Sequence, residues 1–237
     1  MTQYYDVVFS RKNELFVTGR DGVNVHYFEK WTFLESPLDS GSKNRNDGQL
    51  PWVISVEGAD VFQVPAVRLW VFREYGALVY RFEDHFRLTF VAATREQVFW
   101  VANGNLLRSY KPDGSLVREW GVKQFGWVAG LAVCGDLLYV VDTVRHCVQV
   151  FELDGTPVRT WGTKGKAQGQ FHFPCGVAVS PEGEICVVDG AFSRVQAFGP
   201  DGSFLREQYF HECFTGIASS QYGVFVVSCA KRMVTLF

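Results

Sequence analysis

Short apolar runs separated by polar turn residues recur along the second half of the chain. Residues 130–162 can be laid over residues 176–208, and each segment contains four such runs. In chain order, A is GLAV or GVAV, B is LLYVV or EICVV, C is VQVF or VQAF, and D is PVRTW or FLREQ. Alternation and β-branched residues predict strands, and the LDG and PDG junctions between C and D predict tight turns. One repeat is therefore predicted to be a four-stranded antiparallel meander.

The same template describes the rest of the chain, and an aromatic residue that closes run C marks its period. This residue recurs as Phe28, Phe72, Tyr110, Phe151, Phe198 and Phe237. The distances between successive aromatic residues scatter around the period of about 40–45 residues that is typical of one propeller blade. We predict an all-β fold, a six-bladed β-propeller of four-stranded antiparallel blades forming a single domain over 1–237. The approximate blades are 6–36, 52–83, 89–121, 130–162, 176–208 and 216–237.

The last copy stops after run C and lacks run D. A blade buries both faces of its sheet only against neighbours, so the ring has to close. Residues 1–5, MTQYY, are predicted to fill part of the gap by pairing with the last blade. The alternative is that the chain is cut from something longer.

The string FPCGVAVSPEGEICVVDGAFSRVQAFGPDGSFLRE, residues 173–207, resembles the NHL repeat. The pattern of that repeat comprises a Pro-x-Gly-hydrophobic strand, a strand ending in V-x-D, an R-V-Q-x-F strand and a D-G turn. Residues 130–162 are similar, through VVDTVRHCVQVF, whereas the first two copies lack the Asp after run B and the D-G turn. The resemblance implies an NHL-type propeller like the target-binding ends of tripartite-motif ubiquitin ligases. The sequence contains no RING, B-box or coiled-coil heptads, so ligase activity would have to come from a partner.

Composition agrees with a folded domain. The 237 residues are 47% hydrophobic and 16% aromatic with a net charge of −2, which excludes disorder of the whole chain. We find no signal-peptide pattern at the N-terminus and no apolar run near the roughly 20 residues that span a bilayer, so we expect a cytoplasmic protein without a membrane partner. The six cysteines show no C-x-x-C spacing and are expected to be reduced and mostly buried.

Candidate catalytic and metal-binding residues are few. Asp142 and Asp189 end run B, and we expect each carboxylate to accept backbone N–H groups in the B–C turn instead of binding a metal. Some lyases on a related propeller use histidines around a central metal, but here Cys175 and Thr215 hold the matching positions. No nucleophile elbow, phosphate loop or H-E-x-x-H motif occurs, and the A runs are almost wholly apolar. We therefore predict no catalytic residues, no metal and no cofactor, and that the protein is not an enzyme.

The propeller topology would bring basic and aromatic residues to one face. The D–A and B–C connections share this face, and acidic residues concentrate in the A–B and C–D turns of the other. The predicted partner-binding residues on the first face are Phe125, Trp127, Arg145, His146, Lys164, Lys166, His172, Phe173, Phe192 and Arg194. We predict a protein-binding scaffold that uses this face, with substrate recognition for ubiquitination as its role. RNA binding by the same face and a metal-dependent lyase or hydrolase stay open as alternatives, and no DNA partner is expected.

Overall fold

A computed structural model gives the fold. It describes the backbone of residues 4–9, 14–19, 22–27, 36–37, 51–57, 60–65, 68–73, 78–83, 90–93, 99–111, 115–121, 123–211, 214–220, 223–228 and 233–237. Side-chain surroundings are described for residues 92, 104–111, 115–121, 123–211, 214, 216–219, 223–226 and 236–237.

The first half of the chain forms three four-stranded sheets. The first comprises β1 (Tyr4–Phe9), β2 (Glu14–Gly19), β3 (Gly22–Tyr27) and β4 (Ser36–Pro37). The second comprises β5 (Pro51–Glu57), β6 (Asp60–Pro65), β7 (Arg68–Arg73) and β8 (Leu78–Glu83). The third comprises β9 (Phe90–Ala93), β10 (Phe99–Asn103), β11 (Leu106–Tyr110) and β12 (Leu116–Trp120).

The second half continues the pattern. The fourth sheet comprises β13 (Val128–Cys134), β14 (Leu137–Asp142), β15 (Cys147–Glu152) and β16 (Pro157–Trp161). The fifth comprises β17 (Pro174–Val179), β18 (Ile185–Asp189), β19 (Arg194–Phe198) and β20 (Phe204–Tyr209), with a 3-10 turn, η1 (Gly190–Phe192), between β18 and β19. The sixth comprises β21 (Phe214–Ser220), β22 (Gly223–Ser228) and β23 (Met233–Leu236).

Every sheet is an antiparallel meander, because its strands pair in chain order. The first strands of successive sheets contact one another from β1 to β21, and β21 contacts β1 in turn. These first strands are therefore the innermost strands, and they form a closed ring. The prediction of an all-β propeller built from four-stranded antiparallel sheets is confirmed.

Close approach of the innermost strands explains a glycine that recurs in run A. A Cβ at Gly130 would lie 3.0 Å from the Cα of Gly176 and 3.2 Å from the backbone nitrogen of Val177. Gly176 in turn faces Ile217, whose Cγ2 would lie 3.0 Å from an added Cβ. A larger residue at Gly130 would have to push β13 away from β17, and one at Gly176 would displace the Ile217 side chain.

The hydrophobic core lies between neighbouring sheets. Between the fourth and fifth sheets, Val141, Val148 and Val150 pack with Val187 and Phe198, and each is at most 2% exposed. Equivalent clusters join the third sheet to the fourth and the fifth to the sixth. Through these described side chains, the third to sixth sheets therefore stabilise one another by burying apolar surface between them.

The N-terminal residues differ from the expectation that they would complete the last sheet. Tyr4 and Tyr5 begin β1, where Tyr4 pairs with Gly19 of β2. Residues 1–3 lie outside the described residues. Among the described strands, the sixth sheet has three.

Candidate functional site

Asp142, at the end of β14, joins the D–A and B–C connections of the fourth sheet. Its carboxylate accepts the backbone N–H groups of Gly126 at 2.8 Å, Trp127 at 3.2 Å and Arg145 at 3.0 Å. Burial alone would raise the pKa of Asp142, but these donors and the Arg145 guanidinium together hold it below its ordinary value. The expected bond to the B–C turn is present, and two further bonds reach back to the D–A connection.

Asp189 repeats this arrangement at the end of β18. Its carboxylate accepts the backbone N–H groups of His172 at 3.2 Å and Phe173 at 3.0 Å. Like that of Asp142, its side chain is fully buried. The two Asp residues of the repeat therefore fix the loops that carry Trp127 and Phe173.

Each buried Asp also receives a guanidinium, from a different position in each sheet. In the fourth sheet, Arg145 of the B–C turn contacts Asp142 at 3.0 Å and donates to the carbonyl of Lys123 at 3.0 Å. In the fifth, Arg194 at the start of β19 contacts Asp189 at 3.3 Å and Glu207 at 2.8 Å. Arg145 is 42% exposed, whereas Arg194 is completely buried. The assignment of Arg194 to the exposed surface therefore differs from the structure.

Arg194 instead organises the connection between β16 and β17. Its guanidinium donates to the carbonyls of Lys166 at 2.8 Å and Gln170 at 2.7 Å. Gln196 lies two residues further along β19, on the same side of the strand. Its side-chain amide donates to the same Gln170 carbonyl at 2.8 Å and accepts the backbone N–H of Gly169 at 2.9 Å. These bonds give the backbone of residues 166–170 a single defined course.

Three apolar side chains on this face are strongly exposed. Trp127 is 50% exposed, Val144 62% and Phe173 54%. Trp127 and Phe173 occupy the same place in the repeat: each lies three residues before the run-A glycine, and each carbonyl accepts a B–C turn N–H, from Thr143 or Gly190, at 2.9 Å. We call Trp127, Val144 and Phe173 the apolar patch.

Phe125 lies below this surface. It is 3% exposed and packs edge-on against Phe151 with ring centroids 5.6 Å apart. An added Cβ at Gly121 would lie 2.4 Å from its ring, so the D–A connection folds tightly over Phe125. Phe125 thus contributes to the core and not, as expected from its loop position, to the exposed face.

The histidines join the two sheets through aromatic contacts. His172 lies edge-on to His146, with centroids 6.0 Å apart, and edge-on to Phe192, at 5.6 Å. The ammonium group of Lys166 lies 5.9 Å from the centre of the Phe192 ring. The guanidinium carbon of the buried Arg194 lies 5.3 Å from the same ring centre. The structure thus brings together five of the predicted partner-binding residues. Arg145 instead extends toward Asp142, and Lys164 is exposed while its backbone pairs with that of Phe171.

Exposed charges on this part of the face share one sign. The connections 123–127, 143–146, 162–173 and 190–193 are fully described, and their exposed charged residues are Lys123, Arg145, Lys164 and Lys166. The same segments contain no acidic residue. The acids nearest to them, Asp142 and Asp189, are buried beneath the loops.

Sequence reasoning missed Val144 and the Glu207 partner of Arg194. Val144 lies in the predicted B–C turn, and the position of that turn on the face was the signal that could have predicted its exposure. Glu207 belongs to run D, thirteen residues from Arg194. Nothing in the local pattern indicates which side of its strand faces the guanidinium.

The described side chains offer little nucleophilic chemistry. Burial raises the pKa of Cys147 to about 11 and that of Cys186 to about 12, so both are neutral thiols near pH 7. Cys134, Cys147, Cys175 and Cys186 form no disulfide bond, and Cys213 and Cys229 lie outside the residues with described side chains. Among the described residues, no cluster of three His, Cys, Asp or Glu side chains could hold a metal. The described part of the chain likewise has no helix with the length and apolar character for crossing a membrane.

Comparison with known proteins confirms the NHL resemblance. The family model of the NHL repeat matches residues 125–151, which hold Trp127, Asp142 and Arg145. Over 50 residues the chain is 44% identical to the E3 ubiquitin-protein ligase TRIM71 of Rattus norvegicus. That match covers 21% of this chain and 6% of the ligase.

Solved structures show the same fold at low identity. The WD40 β-propeller domain of Doa1 aligns with a TM-score of 0.75 and 16% identity, over 98% of this chain and 77% of that one. The virginiamycin B lyase of Staphylococcus aureus aligns with a TM-score of 0.71 and 12% identity, over 100% and 96%. The chain is therefore a β-propeller that contains an NHL repeat.

Proposed function

We propose that this propeller is a non-enzymatic scaffold that binds a protein through the D–A/B–C face of its fourth and fifth sheets. The observation that carries the proposal is the apolar patch: two aromatic side chains and a valine, each at least 50% exposed, on loops that buried Asp residues hold in place. Exposed aromatic and arginine side chains on a rigid frame are the usual anchors of protein interfaces. NHL and WD40 propellers generally mediate protein interactions, which also supports this reading.

Site-specific photo-cross-linking in cells tests the proposal. A photoreactive benzoylphenylalanine replaces Trp127 or Phe173 and, as a control, Val158, which is 39% exposed on the outer strand β16. We expect a protease-sensitive adduct from positions 127 and 173 and a much weaker one from position 158. Equal adducts at all three positions, or adducts removed by ribonuclease, would contradict protein recognition.

We further propose that the bound protein is a substrate for ubiquitination. The likeness to a ubiquitin-protein ligase over 50 residues supports this role, and the ligase activity would be supplied from outside residues 1–237. The double substitution of Trp127 and Phe173 by Ser should lower ubiquitin conjugation of the cross-linked partner. An unchanged level of conjugation would separate binding from ubiquitination.

We also infer a propeller of six blades. The six sheets among the described strands and the cycle of contacts between their first strands support this number. A cytoplasmic location would agree with a role in ubiquitination, and fractionation of cells expressing the chain tests it.

RNA binding is the second candidate, and one observation favours it. The exposed charges of the four described connections are all cationic, and the ammonium group of Lys166 lies over the Phe192 ring. Proteins that bind single-stranded nucleic acids combine cations with aromatic rings in this way. The salt dependence of RNA affinity distinguishes RNA binding from protein recognition.

A further inference from the structure

The loops that carry the apolar patch are joined by hydrogen bonds across two sheets. Thr143 lies between its aromatic members: its backbone N–H donates to the Trp127 carbonyl at 2.9 Å, and its hydroxyl donates to the Pro174 carbonyl at 2.7 Å. Val144 follows in the chain and packs over Gly126, whose added Cβ would lie 2.6 Å from the valine Cβ. Val144 and the backbones of Trp127 and Phe173 therefore lie together on this face. The Trp127 ring extends over Gly104 of the third sheet, where an added Cβ would lie 3.5 Å from it.

Cations flank the patch on loops with a defined course. Lys123 and Arg145 belong to the fourth sheet's connections, and Lys164 and Lys166 to the connection leading into the fifth. We call these four residues the cationic rim. Buried bonds from Arg194 and Gln196 fix the backbone beside Lys166, so binding there would need little loop ordering.

The composition of this surface restricts its ligand. An apolar side chain is needed to desolvate the patch, since three hydrophobic residues are exposed together. Negative charge is needed beside it, because the described connections expose only cations. The Arg145 guanidinium is already bonded to Asp142 and to the Lys123 carbonyl, which leaves the lysines as point charges for an anionic group of the ligand.

Resting on the proposed function, we infer that the partner presents an acidic, extended peptide segment whose large apolar side chain covers the apolar patch while its carboxylates meet the cationic rim. An aliphatic residue such as Val144 at the patch adds contact area for an apolar anchor but gives a nucleobase no ring to stack on. The peptide reading therefore accounts for all three patch residues and for the charge.

Selection from a phage-displayed library of random dodecapeptides tests the inference with the whole chain as bait. We expect the enriched sequences to be net acidic and to carry at least one Leu, Ile, Phe or Trp. One enriched peptide is then synthesised with a fluorescent label, and its affinity is measured by anisotropy for the wild type and for variants checked by circular dichroism.

The variants separate the two parts of the surface. Phe173→Ser should weaken binding by at least about thirtyfold, as truncation of an interface anchor does, whereas Leu205→Ser, 48% exposed on β20, should have little effect. Lys164→Glu combined with Lys166→Glu should weaken it about tenfold, and Lys111→Glu, in the turn after β11, should not.

Each other outcome overturns a distinct statement. Enrichment of neutral or basic peptides whose binding still needs Phe173 would refute the acidic class and leave protein recognition standing. Enriched peptides insensitive to Phe173→Ser would refute this surface. Failure to enrich any peptide would refute the inference. If a labelled uridine decamer also bound tightly, the proposed function would be refuted as well.

Discussion

Two buried carboxylates set the geometry of the candidate site. Asp142 and Asp189 each accept two backbone N–H groups from the loop that precedes run A, and each lies against a guanidinium. A fully buried carboxylate is costly unless its lone pairs are satisfied, so these bonds explain why an Asp ends run B in both sheets. The aromatic side chains of Trp127 and Phe173 are exposed because their own backbones are held from below.

The Asp142 carboxylate should contribute to stability in a pH-dependent way. Asp142→Asn leaves the three backbone donors with one acceptor oxygen, and we expect a loss of about 2–3 kcal/mol in the free energy of unfolding at pH 7. The pKa of Asp142 is lower in the folded chain than the ordinary 3.8, so its contribution is complete above 3.8 and disappears as pH falls through the folded pKa. Urea unfolding of the wild type and the Asn variant between pH 7 and 3 should show that their difference in unfolding free energy shrinks only below pH 3.8. A difference that stays constant would contradict a role for the ionised carboxylate.

Loss of Arg194 should be more damaging than loss of an exposed arginine. Arg194→Ala leaves Asp189 buried without its charge partner and frees the carbonyls of Lys166 and Gln170, so we expect a cost of about 3–5 kcal/mol. Arg206→Ala is the control, because Arg206 is 48% exposed in its ion pair with Glu184 and should cost about 1 kcal/mol or less. Equal costs in denaturant titrations would show that Arg194 is not the centre of this network.

The residues that sequence analysis placed wrongly share a physical reason. Arg194 follows a turn and appears exposed in the pattern RVQAF, but the register sets it opposite Asp189 and within reach of Glu207. Phe125 lies in a polar loop that folds back until its ring meets Phe151. Both errors concern contacts between different strands and loops, and alternation within one strand does not encode such contacts. Trp127, Phe173 and the two Asp residues were predictable because the repeat fixes their positions.

At the level of the strand, alternation and turn residues were sufficient for the better copies. Runs A to D of the fourth and fifth sheets correspond to β13–β16 and β17–β20, and the Gly155 and Gly202 turns adopt the positive φ angles of 86° and 87° that D-G turns favour. Run B is entirely buried in β18, whereas run D is mostly exposed in β20. The outer strands thus have apolar residues that face solvent, such as Leu205, and these weaken any inference of burial from hydrophobicity alone.

Trp161, at the end of β16, should stabilise the contact between the fourth and fifth sheets. Its indole packs against Tyr139 and Phe198, with centroid distances of 6.3 and 5.8 Å, and an added Cβ at Gly202 would lie 3.1 Å from its ring. We expect Trp161→Ala to cost about 3–5 kcal/mol in the free energy of unfolding. Val158→Ala, on an exposed position of the same strand, should cost under about 1 kcal/mol, and similar values for the two would contradict packing between sheets.

Over the whole molecule, a net charge of −2 conceals two faces of opposite sign in the fourth and fifth sheets. One face exposes the cationic rim. On the other face, the A–B and C–D turns of these sheets expose acidic residues, namely Asp136, Glu152, Asp154, Glu182 and Asp201. The described A–B and C–D turns of these two sheets contain no cationic residue. Such an arrangement orients approaching polyanions and acidic proteins toward the same surface, so charge alone does not choose between them.

The salt dependence of RNA binding provides that choice. If the four cations of the rim contacted phosphates of a single strand, the logarithm of affinity would fall by about 0.7 per contact for each decade of salt, about 2.8 in total. We expect a random RNA pool to bind weakly, with a much shallower slope, because Arg145 is already paired with Asp142 and the patch includes an aliphatic side chain. Filter binding at 50 and 200 mM salt measures the slope, with Lys164→Glu combined with Lys166→Glu as the test and Lys111→Glu as the matched control. Tight binding at low salt with a steep slope that the double substitution alone reduces would identify RNA as the ligand of this face and refute protein recognition there.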